Sequence, residues 1–124
     1  MADEPFDYSG PDRRQAPRIP ARLNIDYALE THLDNAGKVR LTSTWSNNIG
    51  ESGICLVTEE PYSIGSSLLL MIRFPGETQP MPAIAKVIWW KHLQNDPNFH
   101  VGCEFVEVSP EDKKRLMDFL NPKT

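Results

Sequence analysis

The sequence predicts an all-β fold, a six-stranded antiparallel β-barrel with a short C-terminal α-helix, on three observations. Eleven prolines in 124 residues oppose long helices. Apolar residues recur at every second position in several short runs, and clusters of Gly, Pro, Asn and Asp separate those runs. A single segment near the C-terminus carries a helix-start signature.

The elements follow in order. Residues 22–29 and 38–45 read as a hairpin around Asp34-Asn35-Ala36-Gly37, where Asn and Gly tolerate positive φ. Residues 46–53 read as a polar, glycine-containing connection, and 54–58 as a strand ended by Glu60-Pro61-Tyr62-Ser63. In 66–74, Leu68, Leu70, Ile72 and Phe74 share one face and Leu69, Met71 and Arg73 the other. Pro75-Gly76-Glu77 is a turn. In 83–90, alternation gives a wholly apolar face of Ala83, Ala85, Val87 and Trp89, which makes Trp89 a core residue and Trp90 the more exposed ring. Asn95-Asp96-Pro97-Asn98 turns the chain into a strand whose Val101, Cys103 and Phe105 point one way. Ser109-Pro110-Glu111-Asp112 then supplies an N-cap, a first-turn proline and acids at the positive helix end. The helix runs to about Leu120, with Leu116, Phe119 and Leu120 on the stripe that packs on the sheet.

Residues 1–12 carry four acidic side chains and almost no apolar periodicity, so they read as a flexible tail. The domain is expected over residues 13–120, with a C-terminal tail at 121–124. A net charge of −4 argues against a coat for polymeric nucleic acid or for an anionic membrane, so any anion site must be local. The longest apolar runs fall far below the roughly 20 residues that span a bilayer, so no membrane insertion is expected. Cys55 and Cys103 lie in apolar runs of a chain with no signal-peptide pattern, which predicts reduced, buried thiols and a cytoplasmic location.

Catalysis finds little support. His32, His92 and His100 are scattered, no Cys/His spacing suits zinc, and no glycine loop of the phosphate-cradling type is present. No catalytic residue, metal or cofactor is therefore expected. The sharpest local feature is Arg13-Arg14-Gln15-Ala16-Pro17-Arg18, a proline-broken basic segment. Guanidinium groups donate in pairs to phosphate oxygens and to the O6/N7 edge of guanine, and they stack on flat rings. Standing alone, such a segment is more often a solvated basic arm.

Taken together with Asn48-Ile49-Gly50-Glu51-Ser52-Gly53, the arginine segment resembles the PilZ family. That family's signatures are an RxxxR segment before the first strand and a [D/N]xSxxG loop before a middle strand. Arg14 and Arg18 match the first signature, with Arg13 as the frequent doubled arginine; Asn48 and Gly53 match the second, and Gly50 stands where the serine belongs. Lys86-Val87-Ile88-Trp89 and Val101-Gly102-Cys103-Glu104-Phe105 resemble the family's late strands in order and spacing.

The resemblance implies a split barrel that binds cyclic di-GMP, with Arg13, Arg14 and Arg18 on phosphates and guanine faces. Asn48, Gly50 and Gly53 would form the loop at a guanine edge, and Trp89 would be an aromatic bordering the ligand, against the alternation that sends it to the core. The missing hydroxyl at Gly50 costs about 0.5–1.5 kcal/mol, up to roughly tenfold in affinity. The expected output is ordering of the N-terminal arm, relayed to an unidentified regulated protein by a monomer or homodimer. The alternative is a PilZ-like adaptor that binds no nucleotide and acts by protein contact. A barrel for single-stranded nucleic acid would need a basic groove with exposed aromatics, which the acidic balance disfavours.

Overall fold

The computed structural model describes residues 18–30, 40–92 and 94–122. Along the chain these form β1 (Arg18–Pro20), β2 (Asn24–Leu29), β3 (Thr42–Gly50), β4 (Gly53–Thr58), β5 (Ser67–Arg73), β6 (Met81–His92), β7 (Phe99–Glu107) and α1 (Pro110–Leu120). All strand pairings are antiparallel, in the order β3-β2-β5-β6-β7-β4, and β4 returns to pair with β3. This is the predicted six-stranded barrel with its C-terminal helix. One strand is added: β1 pairs with the end of β3 beyond β2, Arg18 opposite Gly50 and Pro20 opposite Asn48.

The core is built by the expected two-residue period. Leu68, Leu70 and Ile72 of β5, Met81, Ala83, Ala85 and Val87 of β6, and Ile54 and Leu56 of β4 all point inward. At the helix, Ser109 caps α1 by accepting from the Asp112 N–H, as its sequence position predicts. Leu116 is fully buried, and the Phe119 ring lies 5.0 Å from that of Phe74. Arg115 fastens the helix to the β5–β6 connection: Nε and Nη2 donate to Glu77 Oε1 at 2.9 and 2.6 Å, Nη1 to Asp112 at 2.9 Å, and Nη2 to the Gln79 carbonyl. Both cysteines are free and buried.

Three expectations are corrected. Residues 46–50, read as connection because they are polar, continue β3, and only Glu51 and Ser52 turn the chain. Ser46 faces inward, yet its hydroxyl is satisfied: it accepts from the Leu23 N–H at 2.9 Å and donates to the Ala21 carbonyl at 2.6 Å. It thereby stitches the break between β1 and β2. Arg18 is not on an unanchored arm, because β1 is strand and Ile19 packs against the core. Pro20 is tolerated there because β1 is an edge strand. Finally, the two tryptophans exchange places. Val87 pairs with Cys103 and Trp89 with Gly102, so Ile88 is a bulge residue and the inside–outside alternation resets. Trp90 packs on the core, 5.7 Å edge-on from Phe99, and Trp89 lies outside. The expected hairpin turn at residues 34–37 lies outside the described residues.

Candidate functional site

The outer surface of β1, β3, β4, β7 and β6 carries a row of cross-strand neighbours: Pro20, Asn48, Cys55, Gly102 and Trp89. Two bulges create it. Between Ser46 and Asn48 the β3–β4 register shifts at Asn47, which leaves Asn48 beside outward Cys55 while Ile49 enters the core. The bulge at Ile88 does the same for Trp89 on β6.

Glycines make the floor of this face. A Cβ on Gly53 would overlap the Cys103 carbonyl oxygen and come within 2.7 Å of Arg18 Nη2, so the guanidinium lies across the bare Gly53 backbone. A Cβ on Gly102 would overlap Cε2 and Nε1 of Trp89, so the indole lies flat on that strand. Glycine in a strand interior commonly marks such a close approach.

Arg18 is half-buried, and its Nη1 reaches Asn48 Oδ1 at 3.5 Å, a long contact that a ligand oxygen could replace. Gly50, the register partner of Arg18, is buried in strand. Its φ is not in the left-handed region, which among the described glycines is occupied by Gly65 and Gly76. The Cys55 thiol in the floor is pushed up to about 12 by burial, with the Arg18 guanidinium pulling the other way, so it stays protonated and chemically quiet. On the next row Val57 lies between Trp45 and His100, and His100 faces Lys91. Burial, and then Lys91, hold the His100 imidazole below its ordinary range.

The structure therefore brings Arg18, Asn48, Gly50, Gly53 and Trp89 onto one face. Arg13 and Arg14 lie outside the described residues. Sequence reasoning missed Gly102 and Cys55; the lone glycine inside the β7 run was the available signal for the first, and nothing distinguished the second from a core thiol. Among the described residues no group of three His, Cys, Asp or Glu side chains could hold a metal ion, and no helix is long and apolar enough to cross a membrane.

The described residues thus form a strand-built barrel with one short helix and an outer face on which Arg18 and Trp89 lie against glycines. The sequence profile of the PilZ domain matches residues 12–121, and the chain belongs to that family. Among solved structures it resembles the Bacillus subtilis inhibitor of motility MotI/DgrA, with TM-score 0.70 and 24% identity over 92% of this chain and 55% of that one. It also resembles MrkH of K. pneumonia in complex with c-di-GMP, with TM-score 0.62 and 19% identity over 89% of this chain and 53% of that one. The PilZ domain of Escherichia coli YcgR with c-di-GMP gives TM-score 0.61 and 13% identity over 86% and 87% of the two chains. The chain thus spans about half the length of the first two. No curated protein matches it.

Proposed function

We propose that this domain binds cyclic di-GMP on the outer face of β3, β4, β7 and β6, and passes the signal to a partner protein without catalysis. The observation that carries this reading is the Arg18 guanidinium lying over Gly53 within reach of Asn48, with the Trp89 indole lying over Gly102 on the same face. Arg18 supplies paired donors for phosphate or guanine, Asn48 reads a base edge, and a flat ring stacks between the Arg18 guanidinium and the Trp89 indole, which the glycines let lie close to the strands. Arg14, one RxxxR step before Arg18, joins the clamp, and Arg13 adds charge. PilZ membership and the similarity to MrkH and the YcgR PilZ domain, both with c-di-GMP, support the same ligand. The relay runs through the segment that precedes β1, since Arg18 itself is already strand-paired. The site works in the cytoplasm, where a reduced Cys55 remains in the floor.

Calorimetric titration with cyclic di-GMP tests this. Arg18→Ala and Arg14→Ala should each weaken binding at least tenfold with a cooperative thermal transition retained; unchanged affinity in both would sink the assignment. A second reading, an adaptor working by protein contact alone, is favoured by Gly50 standing where the motif serine belongs. Absence of binding by the unaltered protein at millimolar ligand selects it.

A further inference from the structure

Arg22 and Trp45 form a pair that the family signatures do not include. The Arg22 guanidinium carbon sits 4.5 Å from the centroid of the Trp45 ring. Arg22 is exposed and Trp45 half-buried, so the guanidinium is the solvent-side layer of the stack. Trp45 pairs with exposed Asn24 on one side and with Val57 on the other, and this fixes its side chain on the outer face. Val57 follows Cys55 by two residues on β4, so the Trp45 row lies next to the Asn48 row, about 7 Å along the strands. The same bulge at Asn47 makes Trp45 and Asn48 neighbours on this face, three positions apart where regular alternation would oppose them. Between the two rows the floor is apolar, with buried Cys55 and Val57 pointing outward from the barrel and outside its inner core cluster.

We infer that the Arg22–Trp45 pair is a second base platform, contiguous with the Arg18–Asn48 site, and that it makes the face selective for a ligand with two purine rings over a mononucleotide. The inference rests on the proposed function and extends it. A guanidinium over an indole on the solvent side can stack on a further ring, and its N–H groups can donate to phosphate or carbonyl oxygens. The first ring lies between the Arg18 guanidinium and the Trp89 indole. The second, joined to it through the sugar-phosphate ring of a cyclic dinucleotide, reaches one row along onto Arg22. A single-base ligand fills the first place and leaves the second empty.

The test uses the full chain, cyclic di-GMP and GMP, with the Trp45 indole N–H signal assigned by Trp45→Phe. Arg22→Ala should weaken cyclic di-GMP at least fivefold by calorimetry, while Arg22→Lys, which keeps the charge without the plane, should recover less than half of the loss. In the unaltered protein, saturating cyclic di-GMP should move the Trp45 indole signal and GMP should leave it in place. A purely structural role for the pair would lower the thermal midpoint of Arg22→Ala without this ligand dependence. Affinity of Arg22→Ala within twofold of the unaltered protein overturns the inference, as does a Trp45 signal that cyclic di-GMP fails to move or that GMP moves equally far. Those outcomes leave the parent reading intact as long as Arg18→Ala still weakens cyclic di-GMP; no binding of cyclic di-GMP at all overturns both.

Discussion

Replacing Gly102 with alanine puts a methyl group where the Trp89 indole now lies. The added carbon would overlap three indole atoms, Cε2, Nε1 and Cζ2, so the ring must leave the strand. Trp89 is only half-buried, and it can swing outward without disturbing the core. The stability cost therefore falls at the low end of the roughly 1–3 kcal/mol range of overpacking, about 1 kcal/mol. The cost to binding is larger if the indole borders a guanine. Base–aromatic stacking is worth about 1–3 kcal/mol per base, so Gly102→Ala should weaken cyclic di-GMP by roughly 5- to 150-fold. Trp89→Ala removes the same stack without the strain.

The two changes act on one contact, and their combination is the discriminating measurement. Calorimetry on the unaltered protein, each single variant and the double variant gives a thermodynamic cycle. The double variant should bind within about 0.5 kcal/mol of the weaker single variant, because a methyl group on Gly102 displaces nothing once the indole is gone. Additive losses would refute the reasoning, and so would near-normal affinity in Gly102→Ala with its indole signals unchanged.

Gly50→Ser restores the motif hydroxyl at a strand position whose φ lies outside the left-handed region, so backbone strain does not oppose it. Affinity should rise by up to roughly tenfold, read by calorimetry. Ser46→Ala leaves the Leu23 N–H and the Ala21 carbonyl without their hydroxyl partner. At about 1–3 kcal/mol for each group, urea unfolding should show a loss of about 2–6 kcal/mol. His100 has a depressed folded pKa, so the unfolded chain binds its proton more readily; stability present above the ordinary value of 6.5 is lost as pH falls through that value toward the lower folded one. Urea midpoints at pH 7.5 and 5.5 should differ, and His100→Gln should shrink the difference.

Legibility in the sequence followed local regularity. β5 reads off its pattern because Leu68, Leu70 and Ile72 alternate without interruption and pair straight across to β2 and β6. The helix is legible because Ser109, Pro110 and Asp112 act within one turn. The end of β3 was hidden because its side chains are polar, and the inward one, Ser46, is satisfied by backbone groups of the β1–β2 break that only the fold brings near. β1 was hidden by Pro20, whose missing N–H matters little on an edge. Asn48 and Gly53 were legible as motif residues, but the contact of Arg18 with Asn48 joins positions 30 residues apart and needed the β1–β3 register.

The tryptophan pair shows why alternation alone misplaced part of the site. With Trp89 and Trp90 adjacent, one ring must face in and the other out, whichever register is chosen. Hydrophobicity does not decide between them. The cross-strand partners do: Trp89 faces Gly102, whose bare backbone gives an indole room to lie flat on the outer surface, whereas Trp90 faces Val101 and meets Phe99 inside. The bulge at Ile88 reconciles this choice with the inward alternation of Met81, Ala83, Ala85 and Val87, at the expense of one unpaired residue in the ladder. The bulge at Asn47 sets Asn48 outward in the same way. Asn48 and Trp89 each stand immediately after a bulge, on one cross-strand row with Cys55 and Gly102 between them. The bulges therefore fix the distance and direction between the Asn48 amide and the Trp89 ring, and that spacing is carried by the strands themselves instead of by a loop.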